Sequence, residues 1–246
     1  METYNPFSLS GKTVLVTGAS SGIGRGIAIA CSKMGASVIL NGRNEMRLNE
    51  TLSMMAEGSH LIAAADLNNH ESIADMAMSL PSLNGVVHCA GVGQRVLCKN
   101  LTERDVNEIM DINFKAPVLL QAELLKQKKI LKSSSIVFIA SLAADSPSIG
   151  NAMYSASKGA LISYANCLAI ELAHRLIRVN CILPAMIWTD LIFQGGITEE
   201  ELREDEKKYP LKRYGTPEDV ANLAIYLLSD ASSWMTNSKI KLTGGD

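Results

Sequence analysis

The 246-residue chain has no run approaching the roughly 18 uninterrupted apolar residues of a membrane-crossing helix. Residues 1–10 are too polar for a secretory leader. An excess of basic charge is also missing. With 23 Lys and Arg against 25 Asp and Glu, the net charge of −2 leaves neither a stripe for nucleic acid nor a polybasic anchor for an anionic membrane. The five cysteines (Cys31, Cys89, Cys98, Cys167, Cys181) are odd in number, and no pair has the C-x-x-C spacing of a zinc or redox site. They read as reduced, mostly buried thiols, and no metal is expected. Neither a Pro/Gly/Ser-rich linker nor an internal repeat divides the chain. A single domain over residues 1–246 follows, placed in the cytoplasm and acting on a small molecule. The 47% hydrophobic and 20% charged composition can support a sizeable core at this length.

Short apolar runs alternate with amphipathic stretches from end to end. Residues 12–17, 37–41, 60–65, 84–89, 134–140, 177–182 and 239–242 read as buried strands. Between them, 22–34, 44–57, 71–80, 102–127, 154–174 and 217–229 carry helical periodicity. Strand and helix repeated in this way predict an α/β fold of the Rossmann type: a doubly wound, mostly parallel sheet of seven strands with helices on both faces. One stretch departs from the alternation. Residues 188–210 carry the acidic run 199–206 and read as a flap over a substrate, with Trp188, Leu191, Ile192 and Phe193 as its apolar wall.

The first strand runs straight into Thr17-Gly18-Ala19-Ser20-Ser21-Gly22-Ile23-Gly24, which opens a helix. Glycine permits a sharp turn and a close backbone approach to a pyrophosphate, and a helix N-terminus offers unpaired N–H groups to it. Further along, Tyr154 and Lys158 stand four apart on one helical face. A tyrosine can protonate the alkoxide left by hydride addition if its pKa falls from about 10 by roughly three units, about 4 kcal/mol. An ammonium about 4 Å away at an effective dielectric of about 20 supplies roughly that amount, so Lys158 is expected to suffice. Ser141 follows the apolar run 136–140 and should emerge at the carboxyl end of a strand, where it can stabilise charge on a substrate oxygen. Asn113, inside a helical pattern, needs partners for its amide if buried.

The end of the second strand bears on cofactor choice. In dinucleotide folds a carboxylate there binds the free ribose hydroxyl and repels a 2′-phosphate. Gly42 occupies that position and Arg43 follows, so NADP(H) is preferred over NAD(H). Arg25, beside the glycine turn, is a second candidate cation.

Residues 17–24, Asp66-Leu67, Ala90-Gly91, Asn113, Ser141, Tyr154-x-x-x-Lys158, Pro184 with Thr189-Asp190, and 215–221 together resemble the short-chain dehydrogenase/reductase family over nearly the whole chain. Within it the sequence is most similar to the 3-oxoacyl-[acyl carrier protein] reductases. The resemblance implies interconversion of a ketone and a secondary alcohol. It places Gly18, Ser20, Ser21, Gly22, Ile23, Gly24, Arg43, Leu67, Ala90, Gly91 and Pro184 around the cofactor. It also sets Asp66 on the adenine edge, although Asp66 could instead cap the next helix. Ile187 and Thr189 would hold the nicotinamide carboxamide, Lys158 the ribose, and Asn113 a water that relays protons through Lys158. Relatives pack helices equivalent to 102–127 and 154–174 across two-fold axes, which implies a homo-oligomer, a tetramer. The second of these helices has apolar residues enough for two faces, among them Leu161, Tyr164, Ala165 and Leu168; a helix buried only against its own sheet is the alternative. Two departures stand out: His88-Cys89 replaces Asn-Asn before Ala90-Gly91, with His88 expected to be structural, and Ala185 replaces the glycine after Pro184. A dinucleotide-binding sensor without catalysis and a sugar epimerase or dehydratase are the competing functions.

Overall fold

The structure is a computed structural model that describes residues 4–193 and 197–245. The expected flap therefore lies partly outside the described residues, at 194–196, and the polar N-terminus at 1–3. Seven strands form one parallel sheet: β1 (Thr13–Val16), β2 (Ser37–Gly42), β3 (Leu61–Ala64), β4 (Leu83–His88), β5 (Ile130–Ile139), β6 (Arg178–Pro184) and β7 (Ser238–Leu242). Their order is β3-β2-β1-β4-β5-β6-β7.

The central strands are apolar throughout rather than alternating because both faces of the sheet are covered. In β1, Val14 and Val16 point to one layer and Leu15 to the other. The first layer holds α1 (Gly22–Lys33), α2 (Glu45–Ser53) and α8 (Pro217–Leu228), which contribute Ile27, Leu48 and Val220. The second holds α3 (His70–Ser79), α5 (Ala116–Lys126) and α6 (Ala152–Leu172), with Ile73, Leu120 and Leu161. The doubly wound Rossmann-type architecture is thus as expected. The chain leaves β1 toward β2 and β3, then returns to the other side of β1 with β4. A crevice opens at that reversal, outside the carboxyl ends of the strands.

Local chemistry sets the helix starts. Thr216 and Asp219 form a reciprocal capping box at α8, Pro217 occupies its first turn, and Arg213 grips Asp219 at 2.7 and 3.0 Å. Other boundaries differ from the sequence reading. The stretch 102–127 is not one helix but α4 (Glu103–Met110), a π-helical turn (Asp111–Lys115) and α5. The acidic run forms α7 (Glu199–Glu206), capped by Thr198 with Glu201. All five cysteines are free, yet Cys98 and Cys167 are exposed, so the thiols are not mostly buried. Among the described residues no helix is long and apolar enough to cross a membrane, and no cluster of His, Cys, Asp or Glu could hold a metal ion.

Candidate active site

At the end of β1, Thr17 ties the first turn to the end of β4: its Oγ1 accepts the N–H groups of Cys89 (3.0 Å) and Ala90 (3.1 Å). At two positions the turn is then too tight for a side chain. A Cβ on Gly18, whose φ is +67°, would stand 2.9 Å from Ala90 Cα, and one on Gly24 would stand 2.3 Å from the Gly18 carbonyl. Ser21 precedes α1 without a side-chain capping bond, so the first N–H groups of that helix are open to an anion. Facing the turn, a Cβ on Gly22 would meet Thr189 Cγ2 at 3.2 Å.

These groups line one cleft of about 740 Å³ at the topological switch point. Every residue assigned from sequence to cofactor or chemistry lines it except Arg25 and Asn113, the latter fully buried behind Gly91. Gly91 is hemmed in: a Cβ there would lie 3.2 Å from Asn113 Oδ1 and 3.4 Å from Lys158 Nζ. The π-helical turn aims the Asn113 amide at the loop after β4, where it bonds both main-chain groups of Val92 and also Ser157 Oγ at 3.2 Å. The role visible for this side chain is bracing that loop.

Ser141 follows β5, its hydroxyl accepts the Ala143 N–H at 3.1 Å, and it lines the same cleft as Tyr154. Tyr154 stands near the start of α6, and Lys158 on the next turn places Nζ 5.8 Å from the tyrosine ring centroid. That ammonium donates to the Ile139 carbonyl at 3.0 Å. Here the sequence arithmetic needs correction. Burial pushes the Tyr154 hydroxyl above its ordinary pKa, against a smaller downward pull from Ser141, and Lys158 does not offset it. Burial also draws Lys158 down to about 8. Desolvation dominates because the fold removes water from both groups.

The end of the cleft beside β2 brings further corrections. Arg25 does not line the cleft; it is spent on the Ser20 carbonyl (2.6 Å), Thr51 Oγ1 (3.0 Å) and Glu50 (3.1 Å). Arg47, on the first turn of α2, was missed by the sequence reading: it lines the cleft and pairs with Asp190 at 3.4 Å. Its spacing after Arg43 gave no signal until α2 was placed. Arg43 is exposed at the end of β2 and has no carboxylate partner among the described residues. Asp66 does not cap α3. Asn69 does, accepting the Ser72 N–H at 3.1 Å, while Asp66 accepts the Asn68 N–H at 3.0 Å.

The two departures in the motif behave differently. His88 is buried, stacked on Phe138 at 4.6 Å and bonded through Nε2 to Gln121 at 3.0 Å; burial draws its pKa down to about 4. Ala185 lines the cleft and donates its N–H to the Leu242 carbonyl at 3.0 Å. On the substrate side, Leu191 and Ile192 line the cleft as expected, but Trp188 and Phe193 do not. Trp188 packs under the Arg203 guanidinium, 4.1 Å from its ring, and donates to Glu206 at 2.9 Å. Asp205 and Glu206 are therefore internal acceptors for Tyr214 and Trp188, while Glu199, Glu200 and Glu204 form the solvated face.

The cleft fits a dinucleotide: a glycine turn with no room for a Cβ, an uncapped helix N-terminus and an uncompensated arginine at the end of β2. Comparison with known proteins agrees. A family model described as enoyl-(acyl carrier protein) reductase matches residues 18–245. The chain is similar to a 3-oxoacyl-[acyl-carrier-protein] reductase of Rickettsia felis, 35% identical over 237 residues covering 96% of this chain and 97% of the relative. It is 31% identical to an L-xylulose reductase of Caenorhabditis elegans over 246 residues, covering 97% of each. Among solved structures, a protein assigned as an NAD(P)-dependent gluconate 5-dehydrogenase from Beutenbergia cavernae, with NADP bound at low occupancy, matches with a TM-score of 0.89. That match has 30% identity and covers 98% of both chains.

Proposed function

The chain belongs to the short-chain dehydrogenase/reductase family of oxidoreductases, and from that premise we propose that it interconverts a ketone and a secondary alcohol with NADP(H). The observation that carries this reading is that Ser141, Tyr154 and Lys158 line one cleft, with the Lys158 ammonium 5.8 Å from the Tyr154 ring centroid. Two hydroxyls in one cleft suit a carbonyl oxygen. Ser141 stabilises the charge that develops on it, and Tyr154 gives it a proton. With its pKa held up by burial, Tyr154 is protonated at neutral pH, the form that reduction requires. The cofactor, when bound, supplies the hydride. Gly18, Ser20, Ser21, Gly22, Ile23 and Gly24 would receive its pyrophosphate, Asp66 and Leu67 its adenine, Ala90, Gly91 and Lys158 its ribose side, and Pro184, Ile187 and Thr189 its nicotinamide.

The preference for NADP(H) rests on Gly42 and Arg43, supported by the NADP bound in the Beutenbergia relative. A 3-oxoacyl thioester is a candidate substrate from the rickettsial relatives, and a sugar ketone from the others. The enzyme is further proposed to act in the cytoplasm, as a single domain over 1–246 with a substrate flap near 188–210, and as a homotetramer. Following NADPH absorbance with acyl-thioester, steroid and sugar ketones side by side tests the reading. Consumption is expected with at least one class and should collapse in Tyr154→Phe. No consumption with any, or near-normal turnover in that variant, overturns it.

A further inference from the structure

Four cationic side chains (Arg43, Arg47, Arg95, Lys158) and two carboxylates (Asp66, Asp190) line the cleft of a chain whose net charge is −2. Three of the cations have work already: Arg43 and Arg47 stand at the adenosine end, and Lys158 beside Tyr154. Arg95 does not. It lies on the loop after β4, and that loop is stitched to the segment leading into α6, where Val96 N–H donates to the Gly150 carbonyl at 2.8 Å. A Cβ on Gly150 would stand 3.9 Å from Arg95 Cα. Arg95 is thereby held on the substrate side, against residues that run directly into Tyr154.

The guanidinium is uncompensated there. Asp105, which bonds the neighbouring Gln94 through Nε2 (2.8 Å), is also spent on the Thr102 N–H (2.9 Å) and hydroxyl (2.6 Å). Asp145 is paired with Lys241 at 3.0 Å. The remaining polar groups on this rim, Ser146, Ser148 and Asn151, are neutral, and Asn151 is bonded to Ser148 at 3.3 Å. Among the described residues Arg95 has neither an ion pair nor a side-chain hydrogen bond.

We propose that Arg95 is a specificity-determining residue that binds the carboxylate of an oxo or hydroxy acid while its carbonyl carbon sits at Ser141 and Tyr154. The inference rests on the reductase reading above and narrows it to small organic acids. A guanidinium fork matches a carboxylate in two parallel, charge-assisted bonds. A neutral ketone of the same shape gains neither.

The test compares oxo acids, with the keto group at different distances from the carboxylate, against their methyl esters, using NADPH and the full-length protein. At least one acid is expected to exceed its ester in kcat/KM by roughly 10-fold to 100-fold, the range of one charged hydrogen-bonded contact. In Arg95→Gln that ratio should fall toward one, mainly through KM. Arg95→Lys should retain part of it, and NADPH titration should find both variants folded and cofactor-competent. Esters that react as well as their acids in the unmodified protein overturn the inference alone, as does a ratio unchanged in Arg95→Gln. Turnover of an acyl-thioester, steroid or sugar ketone with every oxo acid inert also overturns the inference alone, whereas failure of all of these compounds to consume NADPH overturns the reductase reading itself.

Discussion

Asn113 holds both main-chain groups of Val92: its Oδ1 accepts the Val92 N–H at 2.8 Å, and its Nδ2 donates to the Val92 carbonyl at 2.9 Å. The pair joins the π-helical turn to the loop that carries the cleft wall. We predict that Asn113→Ala, which leaves two part-buried main-chain groups of Val92 without this partner, destabilises the fold by about 1–3 kcal/mol in total. Urea denaturation measures this. A loss under about 0.5 kcal/mol, the range of an ordinary surface change, removes the bracing role.

Tyr154→Phe keeps the ring and deletes the proton donor. Turnover should drop by roughly 10²-fold to 10⁴-fold, while NADPH affinity, read by fluorescence titration, stays within a few-fold. Parallel loss of both would point to a collapsed cleft rather than to lost acid catalysis.

His88 gives a pH signature. Burial draws its pKa from 6.5 to about 4, so between these values the unfolded chain binds a proton that the native one refuses. Stability is therefore fully present above pH 6.5 and falls as pH drops toward 4. Replacement by a side chain that does not titrate, His88→Asn, should flatten this part of the stability curve, by up to roughly 3 kcal/mol at its acid end. Identical slopes for variant and parent between pH 6.5 and 4 would contradict the assignment.

Lys158 acts over a higher window. Its pKa is drawn down from 10.5 to about 8, so the native state sheds its proton first, and this group's contribution to stability grows as pH rises from 8 to 10.5. Buried thiols and phenols titrate nearby with the opposite sign, so the difference between parent and Lys158→Met is the useful quantity. That difference should shift in the parent's favour across the window, and a constant difference disproves it.

Arg43 and Gly42 set cofactor choice on our reading. Arg43→Ala should lower the NADPH-to-NADH ratio of kcat/KM by roughly 10-fold to 100-fold, the range of one charged contact. Adding Gly42→Asp should carry it further, with Leu48 yielding slightly because a Cβ at Gly42 lies 3.2 Å from Leu48 Cδ2. Comparable efficiency with both cofactors in the unmodified protein discards the idea.

The α6 face available to a second copy is not the one that the apolar pattern suggested. Leu161, Ala165, Leu168 and Ala169 are buried in the protein's own core, and what remains outward includes Ala156, Ser163, Cys167 and Ile170, the last 71% exposed. A homotetramer built on this face should dissociate in Ile170→Glu. Light scattering that shows only a 26.5 kDa species for the unmodified protein rules it out.

What the amino-acid order determined by itself was whatever depends on neighbours along the chain. Apolar runs separated by helical periodicity dictate a parallel sheet covered on both faces. Glycines between Thr17 and Gly24 dictate a turn, and a spacing of four places Tyr154 and Lys158 on one helical face. Tertiary structure decided the rest, because it turns on groups far apart in sequence. Glu50 and Thr51 draw Arg25 away from the cleft, and Asp190 meets Arg47 across it. Val92 shapes the partners of Asn113 within its π-helical turn. The direction of the Tyr154 shift depends on how completely the fold removes water from the phenol, which cannot be read from a four-residue spacing.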